Sequence, residues 1–205
     1  MKVFILALGV VALAFSQEVG RVEKFSGKVD KLQKGQVRPQ PITVPNTGVT
    51  VGDVVRTKSD GSASVSFVDG NKVELGPLTR LDVLEYRQRR SVNIIRGRVL
   101  FEVTKLKPGE GFEVRTPTAI LGVKGTKFRV YVDNASTFLQ VIEGLVEVIP
   151  VANQEARTNA TAGSSYIVGA DFVRRLDAQQ ELQQNRSNTD YTNPRDPEVR
   201  TPCIR

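Results

Sequence analysis

The sequence predicts an all-β domain of about a dozen short strands, arranged as a sandwich, barrel or solenoid, followed by a short C-terminal helix and a mobile tail. Three observations carry this expectation. Between residues 19 and 168, apolar and polar side chains alternate over short runs. Turn residues interrupt those runs at roughly ten-residue spacing. No stretch before residue 170 holds a helical 3.6-residue period.

The first element is a leader. Residues 1–16 read MKVFILALGVVALAFS, with Lys2 as the only charge, an apolar run over 3–15, and small residues Ala14 and Ser16 placed for cleavage before Gln17. The run is too short to cross a bilayer, which needs roughly 20 residues. The expectation is a signal peptide cleaved after Ser16 and an exported protein, periplasmic or extracellular, without a transmembrane anchor.

The β region follows over 17–170. Residues 62–67 place Ala63, Val65 and Phe67 on one face and three serines on the other, as a half-buried strand requires. The same alternation sets Val99, Phe101 and Val103 against Leu100 and Glu102. It sets Phe128, Val130 and Val132 against Lys127, Arg129 and Tyr131, and Val146 and Val148 against Glu147. Turns are expected at Lys34-Gly35, Asn46-Thr47-Gly48, Asp60-Gly61, Asp69-Gly70-Asn71, residues 108–111 and Asp133-Asn134, because Gly, Asn and Asp tolerate the positive φ of tight reversals. A weak repeat, apolar-x-Gly-x-Val, occurs at residues 25–29, 95–99 and 142–146; Gly27, Gly97 and Gly144 then mark bulges or corners within strands.

After residue 170 the character changes. Asp171 is placed to cap a short helix over 171–184 with Phe172 and Leu176 on a thin apolar stripe, and the Gln-, Asn- and Pro-rich residues 185–205 read as a tail.

Composition limits the chemistry. The 205 residues include no His, no Trp and a single Cys, Cys203, so a Ser-His-Asp triad, a Cys-His pair or an ordinary zinc site has no ligand or base to use. Residues 122–126 lack the Gly-Lys-Ser/Thr order of a phosphate loop, and no calcium-loop run of aspartates occurs. Carboxylates such as Glu143 and Glu147 read as outward-facing solvated residues. The expectation is therefore a non-enzymatic protein without catalytic residues, metal or cofactor.

Several strings arrive in one order. They are Gly52-Asp53, then Phe67-Val68-Asp69-Gly70, then Thr116-Pro117, then Val123-Lys124-Gly125-Thr126-Lys127-Phe128, then Ile142-Glu143-Gly144-Leu145-Val146. Over about residues 45–150 this order and spacing resembles the FecR domain, which runs Gly-Asp, Phe-x-Asp-Gly, Thr-Pro, Val-x-Gly-Thr-x-Phe and x-Glu-Gly-x-Val. The resemblance implies an all-β extracytoplasmic module. In signalling members that module is the periplasmic part of a transmembrane regulator that restrains a sigma factor and hears a TonB-dependent receptor. Here only a leader and a short β lead precede the domain, so sigma restraint is not carried over and a stand-alone binding or scaffolding role is expected. For Gly52, Asp53, Asp69, Gly70, Thr116, Pro117, Gly125, Thr126 and Gly144 the residue chemistry itself points to turns, strand starts and corners.

The formal charge is +7, from 29 Lys and Arg against 22 Asp and Glu. Residues 87–129 hold eleven basic side chains and three acidic ones. Within them Arg96 and Arg98 share a face if the chain stays extended through Gly97, and Lys127 and Arg129 share the face opposite Phe128. These four form the candidate face for an envelope protein or an anionic glycan. Nucleic acid is not expected for an exported chain with few aromatics to stack bases. Two other roles stand beside this one: a surface or filament protein that self-associates through sheet edges, and a periplasmic signalling adaptor.

Overall fold

The computed structural model describes residues 17–87 and 89–189. The expected leader, and the part of the expected tail beyond residue 189, lie outside the described residues. Seventeen strands are described: β1 (Glu18–Ser26), β2 (Val29–Leu32), β3 (Gln40–Pro41), β4 (Thr47–Thr50), β5 (Val54–Thr57), β6 (Ser62–Phe67), β7 (Lys72–Leu75), β8 (Arg80–Tyr86) and β9 (Arg89–Glu102). They continue as β10 (Gly111–Arg115), β11 (Ala119–Val123), β12 (Lys127–Val132), β13 (Thr137–Glu143), β14 (Leu145–Pro150), β15 (Thr158–Thr161), β16 (Ser165–Val168) and β17 (Val173–Arg175), before helix α1 (Ala178–Thr189). The excess over the expected dozen comes from pieces such as β3 and β17, too short to show alternation.

The strands pair into two sheets. Sheet 1 runs β4, β1, β6, β7, β9, β12, β13, β16, β17, antiparallel throughout. Sheet 2 runs β3, β2, β5, β8, β9, β10, β11, β14, β15, antiparallel except for β9 with β10. Strand β9 belongs to both: residues 89–96 pair in sheet 2 and residues 97–102 in sheet 1. The all-β expectation holds, with two sheets joined through β9.

The inward side chains of both sheets form one buried cluster. At its centre Phe101 of sheet 1 stacks on Phe128 at 4.9 Å between ring centroids and meets the edge of Phe112 of sheet 2 at 6.2 Å.

The glycine repeat marks three of the places where the chain changes sheet. The chain passes from sheet 1 to sheet 2 at Gly27 and at Gly144, and from sheet 2 to sheet 1 at Gly97, each with positive φ. A threonine backs two of these corners: a Cβ on Gly97 would lie 2.5 Å from Thr79 Cα, and one on Gly144 would lie 2.6 Å from Thr126 Cγ2. Thr79 and Thr126 both stand eighteen residues before their glycine, so the second unit repeats the first with the two sheets exchanged. The repeated glycines and Thr126 were singled out in the sequence; Thr79, and the pairing of each threonine with its glycine, were not.

The other motif residues fasten turns. Asp53 is buried, and its carboxylate accepts the backbone amides of Lys34 and Thr50 at 3.0 Å each, tying the end of β2 to the turn before β5. Gly52 supplies the positive φ of that turn. Thr116 and Thr118, on either side of Pro117, both hydrogen-bond the Thr137 hydroxyl at 2.8 Å, joining the β10–β11 turn of sheet 2 to β13 of sheet 1.

At the turn between β6 and β7, Asp69 and Gly70 open a polar network that closes one end of the core. Asp69 accepts a hydrogen bond from the Tyr86 hydroxyl at 2.8 Å and from Asn71 Nδ2 at 2.8 Å, and pairs with Arg90 across the sheets. Arg90 also reaches Glu110 at 3.4 Å, while Asn71 Oδ1 accepts the Thr104 amide at 2.8 Å. Phe67 stacks on Tyr86 at 4.4 Å.

Burial, above all, pushes the Tyr86 phenol far above the ordinary tyrosine range, and the Asp69 carboxylate adds to it against the lowering by Asn71 and Arg90. The sign follows directly. Below about pH 10 the phenol is protonated whether the chain is folded or not; above it only the unfolded chain loses the proton, so Tyr86 makes stability fall as pH rises. Tyr86→Phe is therefore expected to flatten the alkaline fall in stability. It should leave unchanged the phenolate absorbance that the folded protein gains up to about pH 11, which spectrophotometric titration checks.

The C-terminal helix is displaced from its expected place. Residues 173–175 pair with β16 at the edge of sheet 1, so Asp171 caps nothing and Phe172 is exposed. The helix begins at Ala178, where Asp177 Oδ1 accepts the Gln180 amide at 2.8 Å and Gln180 Oε1 accepts the Asp177 amide at 3.3 Å, a reciprocal capping box. Residues 185–189, expected in the tail, belong to this helix.

Candidate functional site

The outer face of sheet 1 carries three of the four predicted basic residues, in rows set by the cross-strand register. One row reads Lys24, Ser64, Glu74, Leu100, Arg129, Gln140. The next reads Arg21, Ser66, Lys72, Glu102, Lys127, Glu143. A third places Arg98 beside Tyr131 and Tyr131 beside Phe138. Directly opposed residues lie close enough for their side chains to meet. Lys127 Nζ pairs with Glu102 at 2.6 Å, and that carboxylate holds the ammonium above the ordinary lysine range. Arg129 Nη1 donates to Gln140 Oε1 at 3.4 Å.

A groove of about 830 Å³ runs over this face, lined by Arg98, Lys127 and Arg129 together with Leu100, Tyr131 and Ile142. Helix α1 forms one side of it: Gln140 Nε2 donates to Glu181 Oε1 at 2.6 Å, and Asn185 and Asn188 line the wall.

Arg96 departs from the expected arrangement. The chain does not stay extended at Gly97, where φ is +105°. Arg96 accordingly pairs in sheet 2 opposite Arg80, and Arg98 pairs in sheet 1 opposite Tyr131. The two arginines border a separate cavity of about 380 Å³ at the corner instead of sharing one strand face.

The wider basic segment is dispersed as well. Arg90 is buried against Asp69 and Glu110, Arg115 pairs with Glu113 on the outer face of sheet 2, and Lys127 is matched by Glu102. The positive charge of residues 87–129 is thus divided among an end of the core and two opposite faces. What remains together is smaller: Arg98, Lys127 and Arg129 above an apolar strip.

Among the described residues no cluster of three His, Cys, Asp or Glu side chains is placed to hold a metal ion. No described helix is long and apolar enough to cross a membrane.

The crossing strands and their turn motifs fit one family. Residues 53–147 match the sequence profile described as FecR protein. Over this stretch the chain is similar to the FecR domain. The stretch begins at the buried Asp53, encloses the crossings at Gly97 and Gly144, and contains every singled-out motif residue except Gly52, one position ahead of it. Both sheets extend past the matched FecR stretch, through β1 to β4 on one side and β15 to β17 on the other.

Two solved structures, both proposed anti-sigma factors of Parabacteroides distasonis, share the fold at a TM-score of 0.53 each. They are 23% and 24% identical to this chain, over 64% and 63% of its length and 64% and 62% of their own. The chain thus spans less than two thirds of those proteins. No curated protein sequence matches it.

Proposed function

We propose that this FecR-like domain is an exported, non-enzymatic binding module of the cell envelope that takes part in signalling by receiving a protein partner on the outer face of sheet 1. The observation that carries the reading is the groove itself, where Arg98, Lys127 and Arg129 surround exposed or half-buried apolar side chains on a rigid sheet. Cations beside apolar surface give both steering and burial on association. The FecR family and the anti-sigma description of the two structural relatives support a regulatory setting. On that reading the sequence is processed after Ser16, and N-terminal sequencing of the exported protein is expected to begin at Gln17.

Assembly through sheet edges is less well supported. The terminal strands β4, β17, β3 and β15 have four, three, two and four residues. Edges this short are a usual means of discouraging strand-to-strand association.

The test places a photo-crosslinking amino acid at Leu100, on the outer face of sheet 1, or at Ile120, on that of sheet 2, in cells that export the protein. A defined adduct is expected from Leu100 and not from Ile120, and it is expected to fade with rising salt and with Arg98→Glu plus Arg129→Glu. No adduct from Leu100, or equal adducts from both positions, would remove the assignment.

A further inference from the structure

Helix α1 is an odd cover for the face it borders. Its sequence, AQQELQQNRSNT, balances Glu181 against Arg186, and its only large apolar residue, Leu182, is 62% exposed. It offers Glu181 to Gln140, and it buries Asn188. A helix without an apolar stripe gains little from packing, which is where most helices in proteins obtain their stability.

The surface beneath has a different character. The groove is lined by four cations, Lys24, Arg98, Lys127 and Arg129, against one carboxylate, Glu74. Between them lie Leu100, Tyr131 and Ile142. Phe138 points outward in register with Tyr131 and yet is only 2% exposed; it lines the groove with Asn185 and Asn188 of α1. A polar, uncharged-on-balance helix therefore sits beside a surface whose complement is acidic and apolar.

The dimensions fit a helix. From β1, which supplies Lys24, to β13, which supplies Ile142, the groove crosses five strand intervals. At about 4.8 Å per interval this is roughly 24 Å, the length of a helix of about 16 residues at 1.5 Å each.

We infer that the outer face of sheet 1 receives an acidic amphipathic helix of a partner protein, and that α1, which walls one side of the groove, is a weak, displaceable cover over its Phe138 end. The inference rests on the binding-module reading above and specifies the partner's chemistry. The incoming helix sets apolar side chains on Leu100, Tyr131 and Ile142 and carboxylates against Arg98 and Arg129. When α1 gives way, Phe138 joins the apolar strip.

The experiment uses the full exported chain and a fluorescent 16-residue peptide of Leu and Glu, with Leu at i, i+3, i+4 and i+7, alongside the same peptide with Lys for Glu. Anisotropy is expected to show salt-sensitive binding of the acidic peptide only. Gln183→Pro, which breaks α1 without touching the sheets, is expected to tighten that binding tenfold or more. Tethering α1 through a short bis-maleimide between Gln140→Cys and Glu181→Cys, in a Cys203→Ser background, is expected to abolish it. Arg98→Glu with Arg129→Glu is expected to abolish it too, with the far-UV spectrum and melting temperature retained. Equal binding of the two peptides, or an affinity indifferent to Gln183→Pro and to the tether, overturns the inference.

The Leu100 crosslink separates the two levels. If a native partner is captured there while the acidic peptide does not bind, the partner chemistry is wrong and the binding face stands. If neither occurs, both fall.

Discussion

Gly97→Val is expected to leave little folded protein. Gly97 sits at φ +105°, a region that a β-branched residue hardly enters, and a Cβ there would lie 2.5 Å from Thr79 Cα. The obstruction is backbone and cannot rotate away. Thr79 is itself pinned, its amide donating to the Thr57 hydroxyl at 2.9 Å and its hydroxyl accepting the Arg98 amide at 3.1 Å. Strain of about 1–3 kcal/mol from the backbone and a further cost of about 1–3 kcal/mol from overpacking together approach the total stability of many domains, about 5–15 kcal/mol. The measurement is soluble yield and urea unfolding, with Gly122→Ala as the control. Gly122 faces outward with ordinary φ, and its added Cβ would meet the end of the flexible Glu147 side chain at 3.3 Å, so that variant is expected to unfold near the parent's midpoint.

Phe101→Ala is expected to cost about 3–5 kcal/mol, the range for removing a buried Phe. The ring is fully buried between two others, stacked on Phe128 and edge-on to Phe112, and those contacts join the two sheets. Truncation therefore empties the middle of the core, where the surrounding strands are held by ladders on both sides and collapse poorly into the space. Phe101→Leu, which keeps most of the volume, is expected to lose far less. Urea titration checks both: the midpoint should fall in the order parent, Leu, Ala, with the slope unchanged. A slope that falls as well would show that the core no longer unfolds as one unit.

Much of the fold was legible because alternation reports burial directly. The faces read from residues 62–67, 99–103 and 128–132 are the buried ones, and the glycine strings at 25–29, 95–99 and 142–146 each mark a crossing between the sheets. The order of the turn motifs likewise led to the family that the profile match supports. What alternation does not contain is neighbourhood. It says that Lys127 faces outward, but not that Glu102, twenty-five residues earlier, lies beside it and pairs with it. For the same reason Arg90 read as one of eleven surface cations, whereas its strand directs it under the Asp69 turn. Arg96 and Arg98 were separated by a single dihedral angle. The helix start was missed for a different reason: Asp171 and Asp177 are equally good caps by residue type, and only the pairing of 173–175 with β16 decides between them.

Strand β9 lends residues 89–96 to one sheet and residues 97–102 to the other. Neither layer is therefore expected to melt or fray at its centre without pulling hydrogen bonds from the other, and the domain is expected to open as one cooperative unit. Anything that clasps the outside of one layer raises the free energy of opening for both. A contact on sheet 1 is thereby felt in sheet 2 as slower exchange of its amides, a way of carrying news of an encounter through the domain that needs no moving part.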